Sequence, residues 1–102
     1  MKQLSAEAGW SSVEHRFETG HPTAEGHFPG IPIIPGALLL DHALRAISAG
    51  PASLRMVKFL RPVRPGEPIE IRWRATAGEV AFECRNGSGE PALVGALILP
   101  LR

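Results

Sequence analysis

A histidine and an aspartate fourteen positions apart, His27 and Asp41, mark the part of this 102-residue chain best suited to proton transfer. An imidazole titrates near neutrality, which suits His27 to the work of a general base. Asp41 interrupts an apolar stretch that begins at Ala37-Leu38-Leu39-Leu40. A carboxylate is seldom fully buried without a partner, so a purely structural reading of Asp41 is strained. Burial would raise its pKa and keep a proton available for a general acid. Gly36 stands where a helix would start, and an amide at that end carries partial positive charge able to hold a developing anion. Pro29, Pro32 and Pro35 stiffen the intervening backbone around His27. A base, an acid and an anion-holding amide thus fall within fifteen residues, His27 to Asp41.

The elements around this segment follow from periodicity. From Ser12 to Thr19, Val13 and Phe17 alternate imperfectly with charged residues, which predicts a half-exposed strand. Residues 20–35 hold four prolines and three glycines and read as a long ordered loop, a length that is usually functional in a compact domain. Gly36 to Ser48 is the one convincing helix. Pro35 suits its start, Gly50-Pro51 its stop, and its apolar residues cover most of the circumference. That helix should be buried nearly all round, as by a sheet wrapped about it. Residues 53–63 alternate only in part. Ile69, Ile71, Trp73 and Ala75 oppose Glu70, Arg72, Arg74 and Thr76 in a clean period of two. A turn at Ala77-Gly78-Glu79 leads into a strand over 80–85, Asn86-Gly87-Ser88-Gly89 signals a hairpin, and the apolar run 92–99 reads as a central strand. A strand, a helix and an antiparallel meander make an α+β pattern in a single domain spanning residues 1–102.

The run His27-Phe28-Pro29-Gly30-Ile31-Pro32-Ile33-Ile34-Pro35-Gly36, with Asp41 beyond it, resembles the signature of the hotdog-fold 3-hydroxyacyl-[acyl-carrier-protein] dehydratases of fatty-acid and polyketide synthesis. Lys58-Phe59-Leu60-Arg61-Pro62-Val63-Arg64-Pro65-Gly66-Glu67 is similar to the strand and turn these proteins carry after the helix, and the resemblance spans roughly residues 12 to 100. Leu38-Leu39-Leu40-Asp41-His42-Ala43-Leu44-Arg45 looks most like the small dehydratases of aryl-polyene pigment clusters. Members that serve primary fatty-acid synthesis have a longer segment before this point, so the acyl tunnel is expected to differ in shape. The resemblance implies an antiparallel sheet around one central helix and elimination of water from a 3-hydroxyacyl thioester to a trans-2-enoyl thioester. It implies catalysis by His27 and Asp41, with Gly36, Phe28, Pro35 and Ala37 around the thioester oxygen and substrate. It also implies a homodimer in which His27 of one chain meets Asp41 of the other. Acyl carrier protein would be the partner, presenting the substrate on its phosphopantetheine arm, with no metal or redox cofactor.

Each residue also has a plainer reading. Asp41 could pair with Arg45, one helical turn away. Gly36 could be glycine merely for close packing, and the leucines 38–40 are core before they are an acyl lining. His15, His21 and His42 show no metal-site spacing, and Cys84 is alone. Arg55, Lys58, Arg61, Arg64, Arg72 and Arg74 read as a mostly solvated sheet face, part of which could steer an acidic carrier protein. Two other functions share the fold: an acyl-thioester hydrolase, which His27 argues against, and a non-catalytic subunit that binds a partner. Net charge of +1 argues against nucleic acid, the single cysteine fits a reducing compartment, and no apolar run is long enough to span a bilayer. A soluble cytoplasmic enzyme is the expectation.

Overall fold

The computed structural model describes residues 9–18 and 33–100. Strand β1 (Ser11–Arg16) comes first, then helix α1 (Gly36–Ile47), then β2 (Ser53–Phe59), β3 (Pro68–Thr76), β4 (Glu79–Arg85) and β5 (Pro91–Ile98). The strands form one antiparallel sheet in the order β1-β3-β4-β5-β2. Strands β3 to β5 are a meander, while β1 and β2 close it at the two edges. The apolar run near the C-terminus is accordingly an inner strand, β5, flanked by β4 and β2.

Register decides which side chains share a face. Val13 lies opposite Ile71, Ile71 opposite Cys84, and Cys84 opposite Leu93. Period-two alternation then places Ile69, Ile71, Val80, Phe82, Cys84, Leu93 and Leu97 together. All of these are buried, and they form one core with Leu39 and Ala43 of α1. Gly95 lies opposite Phe82 within this face, and a Cβ at Gly95 would come within 2.4 Å of the phenyl ring. The aromatic ring therefore occupies the space that a side chain on β5 would need.

The connections follow from turn chemistry. Gly78 adopts a left-handed φ of 75° in the tight turn between Thr76 and Glu79, a conformation that glycine takes at no steric cost. In the β4–β5 hairpin the Asn86 side-chain oxygen accepts from the Ser88 and Glu90 amides, both at 3.0 Å. The Glu67 carboxylate accepts from the amides of Arg64 at 2.7 Å and Gly87 at 2.8 Å, tying the β2–β3 connection to that hairpin.

Two expectations change. Helix α1 stops at Ile47, with Ser48 rather than a glycine in the left-handed region at φ 51°. Ser48 is held there by its amide donating to Leu44 O and its hydroxyl donating to Arg45 O. The helix is also not enclosed. Only Leu39 and Ala43 are fully buried, and Ala37, Asp41 and Arg45 form an exposed stripe. The sheet covers one side of α1, and residues two positions from a buried one point about 200° away.

The Phe82–Gly95 contact predicts that Gly95→Ala destabilises the fold by roughly 1–3 kcal/mol through overpacking. Urea unfolding should show most of that loss recovered in the double variant Gly95→Ala with Phe82→Leu.

Candidate active site

Helix α1 begins without a side-chain cap. Pro35 occupies the cap position at φ −57° and ψ 142°, and its carbonyl accepts from the amides of Leu38 at 3.0 Å and Leu39 at 3.1 Å. The Gly36 and Ala37 amides, in the first turn, have no earlier helical carbonyl to bond. The preceding backbone is anchored, since Ile34 N–H donates to Val63 O at 2.8 Å and the Ile34 side chain is buried. Close packing also accounts for glycine at position 36. A Cβ there would stand 2.8 Å from two atoms of the Phe59 ring. Phe59 ends β2 and is 53% exposed, so this aromatic neighbour of the helix start faces solvent in part.

Asp41 lies on the exposed stripe of α1, one turn beyond Ala37. Its carboxylate accepts from Arg45 Nε at 2.9 Å, and both side chains are more than half exposed. This corrects the expectation of burial: within one chain, Asp41 has solvent and an arginine around it. The reason is angular, because Asp41 sits on the opposite side of the helix from Leu39 and Ala43. The plainer reading of Asp41 as the partner of Arg45 is therefore met in geometry. It does not compete with chemistry, since an exposed carboxylate remains available to a ligand or a second chain. Pro35, Gly36, Ala37 and Asp41 thus share the N-terminal half of α1. His27 and Phe28 lie outside the described residues.

Arg72 was expected on a solvated face and is instead buried at 2% exposure. Its guanidinium donates to Glu83 Oε1 at 2.8 Å, Arg85 Nε donates to the same oxygen at 2.9 Å, and Trp10 stacks 4.7 Å from the Arg72 guanidinium carbon. The sequence signal was available: Arg72 and Glu83 stand directly opposite once β3 and β4 are paired. Arg55 and Arg61 also have acidic partners, Glu79 at 3.3 Å and Glu90 at 3.7 Å. Arg72 is thus out of reach of any docking protein, and Arg55 and Arg61 are already paired.

Sequence reasoning also missed a cluster of rings on the other side of α1, where His42 packs on His15 at 3.7 Å between centroids. Cys84 is fully buried, and desolvation, with Glu67 and Glu83 nearby, pushes its thiol up to about 12. It stays a thiol rather than a nucleophile at neutral pH. Among the described residues no group of three His, Cys, Asp or Glu side chains could hold a metal, and no helix is long and apolar enough to cross a membrane.

Comparison with solved structures defines the class. The fold matches a chain of the dehydratase heterocomplex ApeI:P from Xenorhabdus doucetiae with a TM-score of 0.73 at 20% identity, covering 96% of this chain and 97% of that one. It matches the (R)-hydratase from A. caviae involved in PHA biosynthesis with a TM-score of 0.64 at 18% identity, covering 94% and 98%. The architecture is the α+β hotdog fold. A model of the ApeI-like family, described as ApeI dehydratase, matches residues 4–95, and the chain belongs to that family. Among named relatives, the 3-hydroxyacyl-[acyl-carrier-protein] dehydratase FabZ of Thermomicrobium roseum is 32% identical over 90 residues, and that of Geobacter metallireducens 33% over 78. The matched regions cover 74% and 62% of this chain but 58% and 52% of the relatives, so the chain spans little more than half of their length.

An exposed i,i+4 ion pair contributes only about 0.3–0.5 kcal/mol. In the isolated, undimerised chain Asp41→Asn should therefore shift the urea-unfolding free energy by no more than about that amount. A loss several times larger would show that Asp41 holds the fold together.

Proposed function

We propose that this protein is a 3-hydroxyacyl-[acyl-carrier-protein] dehydratase, which removes water from a 3-hydroxyacyl thioester in fatty-acid or polyene and polyketide-type synthesis. The observation that carries the proposal is the His27-to-Gly36 segment with Asp41 on the open face of α1, in a chain of the ApeI-like family. His27 takes the proton from C2, beside the thioester carbonyl. The C2–H electrons form the C2=C3 double bond, the C3–O bond breaks, and the hydroxyl leaves as water with a proton from Asp41. The Gly36 amide, at the positive end of α1, holds the charge that gathers on the carbonyl oxygen. Phe28, Pro35 and Ala37 surround the substrate. Elimination is redox-neutral and calls for no redox cofactor; in this reading the phosphopantetheine arm of acyl carrier protein delivers the substrate, and proton transfer by His27 and Asp41 does the work without a metal. The reading includes a cytoplasmic location, which the lone Cys84 thiol supports.

The active unit is a homodimer with shared sites. In one chain Asp41 lies open to solvent beside Arg45, not enclosed in a substrate site. The second copy supplies that enclosure. Strand β2 is an edge strand, and Leu54, Met56, Phe59 and Leu60 on it and just after it are exposed apolar side chains. An unpaired, apolar strand edge is a ready template for a further strand. Assembly has a parallel in the Xenorhabdus dehydratase heterocomplex ApeI:P.

Incubation with a 3-hydroxyacyl carrier protein, followed by mass spectrometry, should show loss of one water. Release of the free acid would mean hydrolysis, and an unchanged substrate would mean a binding subunit. His27→Ala should lower turnover by about 10²–10⁴-fold with the fold intact, and wild-type turnover in that variant would remove the chemistry from this loop.

Shared sites have their own signature. When inactive His27→Ala and Asp41→Ala chains are refolded together, half of the dimers should be mixed, each with one intact site. About one quarter of wild-type activity should then return under two-fold symmetry. No recovery despite demonstrated chain exchange would place each site within one chain.

A further inference from the structure

Strand β1 and helix α1, neighbours in the chain on either side of residues 19–32, meet through three rings. His15 of β1 and His42 of α1 lie with ring centroids 3.7 Å apart and planes 31° from parallel. Phe17 stands edge-on to both, 4.7 Å from His15 and 5.2 Å from His42. These three side chains, with Arg16, Glu18 and Leu38, line a surface groove of about 460 Å³. Among the described residues, strand β1 is an edge strand bonded to β3 alone. The ring cluster joins β1 to α1 directly, beside the core contact of Val13.

We infer that the His15–His42 contact is a pH-sensitive clasp between β1 and α1, closed while the His15 imidazole is neutral and loosened when acid charges it. Two neutral rings stack favourably, whereas two imidazolium ions at this distance repel each other strongly. Among the described residues, Glu18 is the one acid that lines the groove, and burial and His42 outweigh it at His15. On β1, Arg16 and Glu18 line the groove, and the Arg16 guanidinium already donates to Gly66 O. Glu14 belongs to the opposite face of the strand. On α1, Asp41 and Arg45 lie on the exposed stripe and bond to each other. On β3, the residues opposite His15 and Arg16 are Ile69 and Pro68, both uncharged, while Glu70 lies opposite Glu14. Burial, and then the charge of His42, hold His15 below its ordinary value of 6.5.

The sign follows from linkage. A histidine held low in the closed state binds a proton more readily when β1 opens. Stability from the clasp is then complete above pH 6.5 and is lost as the pH falls through the lowered value. One extra proton taken up on opening raises the opening constant by as much as about tenfold per pH unit. The inference concerns conformation and stands apart from the dehydratase reading, because its test measures no turnover.

The test is hydrogen exchange of the full chain between about pH 7.5 and 5, corrected for the intrinsic exchange rate, with β4 as internal reference. Protection of the β1 amides should fall relative to β4 as the pH drops. In His15→Phe, which keeps a ring and cannot charge, the β1-to-β4 ratio should be independent of pH. In His42→Phe the slope should be shallower, since burial of His15 remains. The second variant decides the matter if the first fails to fold. A flat ratio in the wild type, or a slope unchanged in the variants, would overturn the clasp.

Discussion

Among the described residues, the arrangement turns on helix α1 lying across one face of the five-stranded sheet. A sheet can cover only part of a cylinder, so α1 divides into a buried side at Leu39 and Ala43 and an open side at Ala37, Asp41 and Arg45. Ala43 is fully buried, and its small side chain lets the helix approach the sheet closely. The buried side gives the fold its core. The open side leaves polar and apolar groups for something else to meet, and Asp41 stands among them.

The contact between Phe59 and Gly36 links that division to the edge of the sheet. Strand β2 lies at one margin and ends in a ring packed on the first residue of α1. The helix start, the open stripe of α1 and the exposed residues of β2 thus belong to one region of the surface. At the other margin, the stacked imidazoles of His15 and His42 hold β1 to the opposite flank of the helix. The helix is consequently fastened at both edges, by an aromatic ring that cannot titrate at one and by a pair that can at the other.

The far face of the sheet solves a different problem. Burying Arg72 carries a large desolvation cost, which the ion pair with Glu83 and the Trp10 ring over the guanidinium offset in part. Glu83 lies in register and bridges Arg72 to Arg85, while the Trp10 ring covers the guanidinium. The arrangement makes register between β3 and β4 expensive to shift. A slip by one residue would leave Arg72 without Glu83 and would turn Ile71 away from the core.

Local chemistry was enough to read the elements. Pro35 and Gly36 mark a helix start whatever surrounds them, glycine at 78 and Asn86 to Gly89 write their turns in backbone terms, and period two in residues 69–76 requires a strand. The spacing from His27 to Asp41 and the proline frame between them were legible in the same way, and they led to the family. Burial was not legible. The alternation that placed Arg72 opposite Ile71 says which face a side chain takes, but only strand pairing and Trp10 decide that this face is covered. An apolar helix looks enclosed from its composition, yet the number of strands and the side they occupy determine how much of it is reached. The same limit applies to Asp41, whose surroundings depend on geometry beyond its own helix, and to His15 and His42, which are 27 residues apart in the chain and meet only because β1 and α1 are folded against one sheet. Sequence determined the elements and the chemistry available to them. Tertiary structure decided exposure and partnership, because both are properties of surfaces that distant segments make together.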